Sequence, residues 1–405
     1  MTRAERVDVT VVGAGAAGIG IGVALSKLEC EFVIVDREKI GASFRRWPEE
    51  MRFITPSFPS NSFGLVDLNA VSPYTSPAYT VERQQPSGEE YADYLEAVAD
   101  LHELPVETGV TVTDVRPAGA RAVDGDESTT RAADGGDHEL EDGFVLETSD
   151  GPIESDFVVW AGGQFGRPRR DVFPGSDLCV HTSEVESWTD HANAASTSEF
   201  FVVGGYESGI DAAVGLVEAG CSVRVVDRGA PWLERDPDPS EVLAPYTMER
   251  LESIVDTDRL EVAGGMTVEE VRRDADGCFE VSARPVGGSE FSRRSYTTPT
   301  RPLLATGFEP NLGPVEAYFP REDGAIELTE RDESPTAPGL FLAGPEVTHN
   351  GVKFCFIYKF RSRFPVVAET IGNRLGIDTD ALEEYREQNM FLEDLSCCKT
   401  EMCDC

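Results

Sequence analysis

"VDVTVVGAGAAGIGIGVALSKLECEFVIVD", residues 7–36, decides how the fold begins. Residues 7–12 alternate toward a buried strand. Gly13, Gly15 and Gly18 then spell G-x-G-x-x-G, a helical stretch follows to about Leu28, and "EFVIVD" makes a second strand. Gly13 permits a tight turn, Gly15 lets a pyrophosphate approach the backbone, and Gly18 lets the helix pack closely on the strand. The unpaired N–H groups at the helix N-terminus attract phosphate oxygens. Asp36 ends the second strand, where a carboxylate accepts hydrogen bonds from ribose hydroxyls. A glycine turn alone is a weak signal. Strand, turn, helix, strand and terminal acid in register predict a dinucleotide-binding unit.

"EFFVVGGYESGIDAAVGLVEAGCSVRVVDR", residues 199–228, repeats the pattern with one departure. Gly204, Gly205 and Gly209 are present, but Tyr206 stands where the middle glycine belongs. The turn still wraps a phosphate if Gly205 takes the close approach. Asp227 favours a free 2′-hydroxyl, as in NADH, whereas Arg228 suits the 2′-phosphate of NADPH. The sequence leaves that choice open. The plainer alternative is a structural repeat that binds nothing.

Two such units separated by about 190 residues resemble the two-dinucleotide-domain flavoproteins, within the flavin-containing monooxygenase and pyridine nucleotide-disulfide oxidoreductase-like group. That resemblance implies FAD at the first turn and NADH or NADPH, as reductant, at the second. It implies an α/β fold of two Rossmann-like, three-layer domains, the NAD(P)H domain inserted into the FAD domain. "FVVWAGGQFGRPR" (157–169) resembles the stretch by which the chain leaves the FAD domain, and "RPLLATGFEPN" (301–311) its return. "PGLFLAGPEVTHNGVKFCF" (338–356) resembles the strand and turn that close over the ribityl chain. The family usually has Gly-Asp there; here Gly344 and Pro345 are followed by Glu346, so the contact passes to Glu346 or to backbone. The expected division is 1–163 and 303–378 for the FAD domain, 164–302 for the NAD(P)H domain, and 379–405 for a C-terminal helix and tail. Residues 120–143, polar and acidic, read as a solvated loop between short strands.

The composition narrows the setting. Seventy-four acids face 35 bases, a formal net charge of −39. Only five bases are lysine: Lys27, Lys39, Lys353, Lys359 and Lys399. Acids spread along the whole chain resemble the cytoplasmic proteins of salt-loving microbes, where a Debye length of about 3 Å at molar salt screens the self-repulsion. Such a surface repels nucleic acid and anionic membrane, so the partner expected is a small-molecule substrate. A homodimer is compatible with this, but the sequence does not decide the oligomeric state. Arg3 and Arg6 before residues 9–25 imitate a signal peptide, but the glycines fall where a strand–turn–helix places them. Scattered Cys30, Cys179, Cys221, Cys278 and Cys355 read as small buried residues of a reducing, cytoplasmic protein.

The second half-reaction is harder to read. Disulfide reductases carry C-x4-C soon after the first turn or C-x-x-C in the NAD(P)H domain, and neither pair is present. "GASFRRWPEEMRFITPSFPSNSF" (41–63) resembles the aromatic, proline-rich loop of flavin-containing monooxygenases and Baeyer–Villiger-like enzymes. "PRRDVFPGSDLCVHTSEVESW" (168–188) resembles their inter-domain stretch, although Gly175, His181 and Trp188 miss the full signature spacing. The resemblance implies a flavin C4a-hydroperoxide that oxygenates a small molecule in a dry pocket. Asn61 is the candidate hydrogen-bond donor, with a turn-capping role as the plain alternative. The last helix is expected to begin near residues 350–353 with its N–H groups toward the flavin, Lys353 either adding positive charge there or standing as a solvated helix residue.

The tail "CCKTEMCDC" (397–405) supports a different chemistry. Cys397, Cys398, Cys403 and Cys405 are four of the nine cysteines. They could carry electrons to disulfides or soft metal ions, as in mercuric reductases and the larger thioredoxin reductases, which this tail resembles. They could instead hold a passive soft metal such as tetrahedral zinc or Cu(I), or do nothing.

Overall fold

The computed structural model describes residues 5–58, 66–79, 83–119, 143–235, 240–322 and 324–397. The chain opens with β1 (Glu5–Val12), α1 (Ala16–Leu25) and β2 (Phe32–Asp36). The two strands are parallel, with Val9 beside Phe32 and Val12 beside Val35. A parallel pair needs a crossover that covers one face of the sheet, and α1 is buried along its whole length. Its apolar, glycine-rich sequence allows this: a Cβ on Gly20 would come 2.1 Å from the Phe364 ring.

After α2 (Ala42–Arg45), α3 (Gly88–Leu101) starts on a capping box. The Ser87 hydroxyl accepts from the Glu90 amide, and the Glu90 carboxylate accepts from the Ser87 amide at 2.7 Å. Tyr91, Tyr94, Leu95 and Val98 recur at helical spacing and turn inward. β3 (Val106–Thr108), β4 (Val112–Pro117), β5 (Phe144–Thr148) and β6 (Ile153–Trp160) then give a sheet ordered β3-β2-β1-β6-β5-β4.

The chain next builds β7 (Val180–His181), α4 (Trp188–Ala194), β8 (Glu199–Val203), α5 (Glu207–Glu218), β9 (Ser222–Val226), α6 (Pro245–Val255) and β10 (Leu260–Ala263). An antiparallel ribbon of β11 (Met266–Arg273), β12 (Phe279–Pro285) and β13 (Arg294–Thr298) follows. β14 (Leu303–Leu304) then enters the second sheet, which is wholly parallel in the order β10-β9-β8-β14-β7. The return therefore starts after Leu304, two residues later than the boundary read from the sequence.

Back at the first sheet, the chain makes a small hairpin of β15 (Arg321–Glu322) and β16 (Ala325–Ile326). β17 (Leu340–Leu342) joins the first sheet parallel to β6. The pairing explains how a split domain is one unit: Leu340, Phe341 and Leu342 lie beside Val158, Val159 and Trp160. A hairpin of β18 (Thr348–His349) and β19 (Val352–Lys353) precedes α7 (Ile357–Phe360) and α8 (Phe364–Leu375). The helix expected to begin near residues 350–353 begins four residues later, because 348–353 are spent on that hairpin.

The two crossings between sheets run side by side. Arg169 N donates to Gly307 O at 2.9 Å, Glu309 N to Arg167 O at 2.8 Å and Asn311 N to Gly163 O at 2.9 Å. Phe165 stacks on Phe308 between them, centroids 5.2 Å apart. Away from the crossings, Glu50 accepts from the Ser187 hydroxyl and from the amides of Trp188 and Thr189, at 2.8, 2.9 and 3.0 Å. Burial pushes the Glu50 carboxyl up, but these donors outweigh it and hold the group at about 2.

The C-terminal helix expected over 379–395 is short: α9 covers Glu383–Glu387. Asn389, at φ 54°, ends it. The chain then runs without regular structure to a 3₁₀ turn at Leu395–Cys397, and Met390 and Leu395 join the core that holds Leu382 and Tyr385. Long-range burial here overrides local helix propensity.

Candidate functional site

A cavity of about 710 Å³ runs from Asp36 and Arg37 over Gly13 and Gly15, past Gly162 and Pro345, to Cys355 and Phe356. It continues into the second sheet's territory at Tyr206, Glu207, Asp211 and Arg250. Its volume suits a cofactor-sized ligand.

The first turn holds its shape without help. Gly13 has φ +113°, and a Cβ there would stand 2.4 Å from Ala161 O. A Cβ on Gly18 would overlap Gly13 O at 1.7 Å, so this pair fixes the close packing of α1 on β1. Gly15 differs: a Cβ there would meet nothing within 4 Å and would project into open space. Gly15 is the N-cap of α1, with no side-chain cap, so the amides of the first turn face that space. This open cradle fits the pyrophosphate of FAD. Asp36 lies at its end, accepting from Ala14 N and Glu38 N, each at 2.7 Å.

At the second turn Gly204 (φ +100°) and Gly209 repeat the roles of Gly13 and Gly18, with Cβ overlaps of 2.3 Å to Ala305 O and 1.9 Å to Gly204 O. Gly205 does not open onto the cavity. It makes room for the Trp232 ring, 2.5 Å from its notional Cβ, and its amide donates to Asp227 Oδ2 at 2.7 Å. The close approach expected at Gly205 is thus taken up by protein. Asp227 Oδ1 accepts from Gly229 N at 2.6 Å and Ala230 N at 3.2 Å. Arg228 is exposed, and neither it nor Asp227 lines the cavity. Tyr206 does, and its hydroxyl donates to Ser240 O and Val242 O at 3.0 and 2.7 Å. Glu207 accepts from Ala244 N at 2.6 Å and from the Thr247 hydroxyl. Burial raises its pKa. Residues 240–247 are thereby drawn over the second turn.

Gly344 (φ +118°) brings the β17 turn down against Ala17. Pro345 lines the cavity and Glu346 does not. Instead, Glu346 Oε1 is buried without a hydrogen-bond partner, and burial pushes the carboxyl up to about 7 against the pull of Arg321 and Arg169. Lys353 is also outside the cavity: its Nζ pairs with Glu241 at 3.0 Å. His181 is buried in the crossing region, where Ser183 N donates to Nδ1 and Nε2 faces Gly307 O at 3.2 Å. Asn61, Cys398, Cys403 and Cys405 lie outside the described residues; Cys397 ends the last 3₁₀ turn. Among the described residues, no three His, Cys, Asp or Glu side chains gather as a metal site.

Two cavity residues escaped the sequence reading. Cys355, taken for core, is exposed and lines the cavity, and its thiol donates to Ser240 Oγ at 3.2 Å. Lys359 Nζ donates to the same hydroxyl at 2.8 Å. Cys179 and Cys221 are buried as expected, and burial pushes the Cys179 thiol up to about 12. Cys30 and Cys278 are partly exposed. Asn69 is buried and lines the cavity, its amide donating to Thr55 O and Ser57 Oγ at 2.8 Å each. The D-x-N run of residues 67–69 was a usable signal, since Asn69 N closes a turn on Asp67 Oδ1 at 2.8 Å.

A mixed sheet with a parallel β3-β2-β1-β6 core, a wholly parallel second sheet, crossover helices, glycine turns and paired crossings define a two-dinucleotide-domain oxidoreductase. The family model of pyridine nucleotide-disulphide oxidoreductase matches residues 10–133 and 138–344, and the chain belongs to that family of FAD-dependent NAD(P)H oxidoreductases. Over 235 residues it is 25% identical to bacilliredoxin reductase Bdr of Bacillus subtilis (strain 168), a match covering 57% of this chain and 66% of that relative's own length. Among solved structures, bacillithiol disulfide reductase Bdr (YpdA) from Staphylococcus aureus superposes with a TM-score of 0.67 at 18% identity, covering 91% of this chain and 99% of that one. A flavin-containing monooxygenase from Stenotrophomonas maltophilia gives 0.64 at 16%, covering 92% and 99%. At such identities the superpositions carry the fold alone. No helix among the described residues is long and apolar enough to cross a membrane.

Proposed function

We propose that the protein is an NAD(P)H-fed, FAD-dependent reductase of a small disulfide, in which the cavity thiol meets the substrate. The observation that carries this reading is Cys355: an exposed thiol lining the same cavity as the open Gly15 cradle. The sequence-level preference for oxygenation gives way on that ground. The names of the matched relatives, a bacilliredoxin reductase and a bacillithiol disulfide reductase, support the same class of substrate.

FAD, held at the first turn, would supply the two-electron chemistry that links NAD(P)H to the acceptor. The chain's own contributions are separate from that chemistry. The amides of the first turn and Asp36 would hold the pyrophosphate and ribose. Phe165 and Phe308 stack between the crossings and line the cavity. Ser240 ties Cys355 and Lys359 together, so the thiol stands beside an ammonium group. A thiolate there attacks the substrate disulfide, forming a mixed disulfide and releasing one thiol.

The second reading is the oxygenation expected from the sequence. Asn69 lines the cavity wall but spends both side-chain N–H donors on Thr55 O and Ser57 Oγ, so it does not stand in for the Asn61 expected from the sequence. Anaerobic turnover separates the two. The flavin-loaded protein, given NADH or NADPH at high salt, is expected to release thiol from cystine or cystamine without oxygen, and Cys355→Ser to abolish the release. Oxygenated product formed only in air, with no thiol release, would sink the reductase reading. The passive soft-metal alternative concerns residues beyond those described, and zinc titration of the full chain against one lacking residues 397–405 tests it.

A further inference from the structure

Among the described residues, four cationic side chains line the cavity that holds Cys355: Arg37, Arg46, Arg52 and Arg250. Three of them are matched by acids. Arg250 pairs with Asp211, Arg46 Nη1 with Glu38 Oε1 at 2.9 Å, and Arg37 Nε with the same oxygen at 3.6 Å. Arg52 is not matched. It is half-buried, and its Nη1 donates to the carbonyls of Glu49 and Met51 at 2.6 and 2.7 Å. Among the described residues its Nε and Nη2 have no partner. The chain has 74 acids for 35 bases, so a cavity arginine that meets no acid runs against the composition. Two carbonyls hold one end of the guanidinium, and the other edge of its planar fork is left for a ligand.

Arg52 and Cys355 belong to segments that are stitched together. Arg52 forms an isolated antiparallel bridge with Ser87, which holds it beside the start of α3. Three residues on, the Thr55 carbonyl accepts from Asn69 Nδ2 at 2.8 Å, and Asn69 is part of the cavity wall. On either side of Asn69, the carbonyls of Asp67 and Ala70 accept from Arg361 Nη1, the second at 2.7 Å. Arg361 is buried and directly follows α7, which Cys355 and Phe356 precede. Each link is a hydrogen bond or a short run of chain, so guanidinium and thiol open onto one cavity from adjoining strips of its wall. The lysines near the thiol do not fill the same place. Lys353 pairs with Glu241, Lys359 donates to Ser240 Oγ, and neither lines the cavity.

We propose that Arg52 binds a carboxylate of the substrate, so that the disulfide this cavity takes is an anionic, carboxylate-bearing one. This deepens the reductase reading and rests on it for the sulfur chemistry alone. Nε and Nη2 lie on one edge of the guanidinium plane, where two N–H groups meet a carboxylate side by side. Arg224 uses that same edge on Glu261 Oε2, at 2.8 and 2.7 Å. Specificity follows from the surroundings. A chain of net charge −39 repels anions at long range, so a substrate anion is held by a short contact and not by the protein's field. Molar salt screens that field to about 3 Å, whereas charges taken out of solvent are screened much less. A neutral or cationic disulfide leaves the Arg52 edge unanswered and gains nothing from it.

The test separates recognition from turnover with a probe that cannot be reduced. Suberate is the all-carbon counterpart of 3,3′-dithiodipropionate, and calorimetry at high salt reads its binding to the full-length flavoprotein. Arg52→Gln should weaken suberate about twentyfold, the range of a lost charge-assisted contact, and Arg52→Lys should fall between. Far-ultraviolet circular dichroism confirms that each variant is folded. In turnover, Arg52→Gln should raise KM for 3,3′-dithiodipropionate by a similar factor without a matching rise for bis(2-hydroxyethyl) disulfide. Absence of suberate binding, or equal affinity in wild type and Arg52→Gln, overturns the proposal. So does a loss of affinity for flavin or NAD(P)H in the variant, which would assign the guanidinium to a cofactor phosphate. Suberate binding that depends on Arg52, with no thiol released from any disulfide, supports the anion site and overturns the reductase reading. Thiol release from charged and neutral disulfides alike, unmoved by Arg52→Gln, does the reverse.

Discussion

Gly15 and Tyr206 cap the first helices of the two nucleotide units with nearly the same backbone, φ −84°, ψ −166° and φ −86°, ψ −167°. Neither conformation requires glycine. The flanking glycines do require it: Gly13 and Gly204 have φ above +90°, and Gly18 and Gly209 each lie against a carbonyl that leaves no room for a Cβ. The repeat thus keeps the glycines that build the turn and changes the one that faces a ligand. At Gly15 the space is open; at position 206 a phenol side chain stands there and ties down residues 240–242. The middle glycine of G-x-G-x-x-G answers to the occupant of the site, and the outer two answer to the fold.

Gly18→Ala and Gly209→Ala test the shared half of that comparison and carry the largest expected effect. A Cβ would come 1.7 Å from Gly13 O in the first and 1.9 Å from Gly204 O in the second. Each turn must open, at an expected loss of about 3 kcal/mol or more in denaturant unfolding at high salt. A loss below about 1 kcal/mol at either site would break the equivalence of the two turns.

Gly15→Tyr tests the half that differs. The backbone already suits tyrosine, so the apoprotein should fold with unchanged far-ultraviolet circular dichroism. Flavin affinity should fall about a hundredfold, the equivalent of about 3 kcal/mol. Loss of fold together with flavin would show that position 15 is constrained by structure after all.

The glycine turns were legible because local geometry dictates them: positive φ and backbone overlap leave one residue type. The exposure of Cys355 was not legible, because it depends on residues 348–353 forming a hairpin, and on residue 240, 115 positions away, approaching from the other sheet. Likewise Asn69 reads as turn chemistry until α3 and the loop before it are folded against the first sheet. Glu346 was assigned to the ribityl chain by its neighbourhood in sequence, yet Pro345 turns the following side chain away from the cavity. Periodicity reports which residues share a face; which faces meet across two domains is settled by long-range packing.

Two of the raised carboxyls extend the comparison. Glu207, at the second turn, has its burial offset by Thr247 and Ala244, whereas Glu346, beside the first, has an unpartnered oxygen. Glu346 lies at about 7 in the folded protein against 4.5 as the ordinary value. The folded state therefore binds more protons between those limits, so stability falls as pH rises from about 4.5 to 7 and levels off above. The full cost of ionisation is on the order of 3 kcal/mol. Glu346→Gln should recover about 2 kcal/mol at pH 8 and nothing at pH 4, seen as a higher melting temperature only on the alkaline side. An equal shift at both pH values would assign the gain to packing rather than charge.

Tyr206→Phe isolates the tether with the smallest perturbation. The ring stays, and the hydroxyl that donates to Ser240 O and Val242 O is lost. Both acceptors are neutral carbonyls near solvent, so water replaces the phenol at a cost of about 1 kcal/mol. Global unfolding should barely register it, because the second sheet's core lies elsewhere, around Val202, Val214 and Leu216. Local opening of residues 240–247 should register it, since Glu207 would be left as the main hold on that segment at the second turn. Amide exchange at Val242 and Ala244 is therefore expected to quicken about fivefold, the equivalent of 1 kcal/mol. Exchange in the first unit, at Ala14 and Gly15, should stay unchanged, because among the described residues no tether of this kind spans the open cradle there.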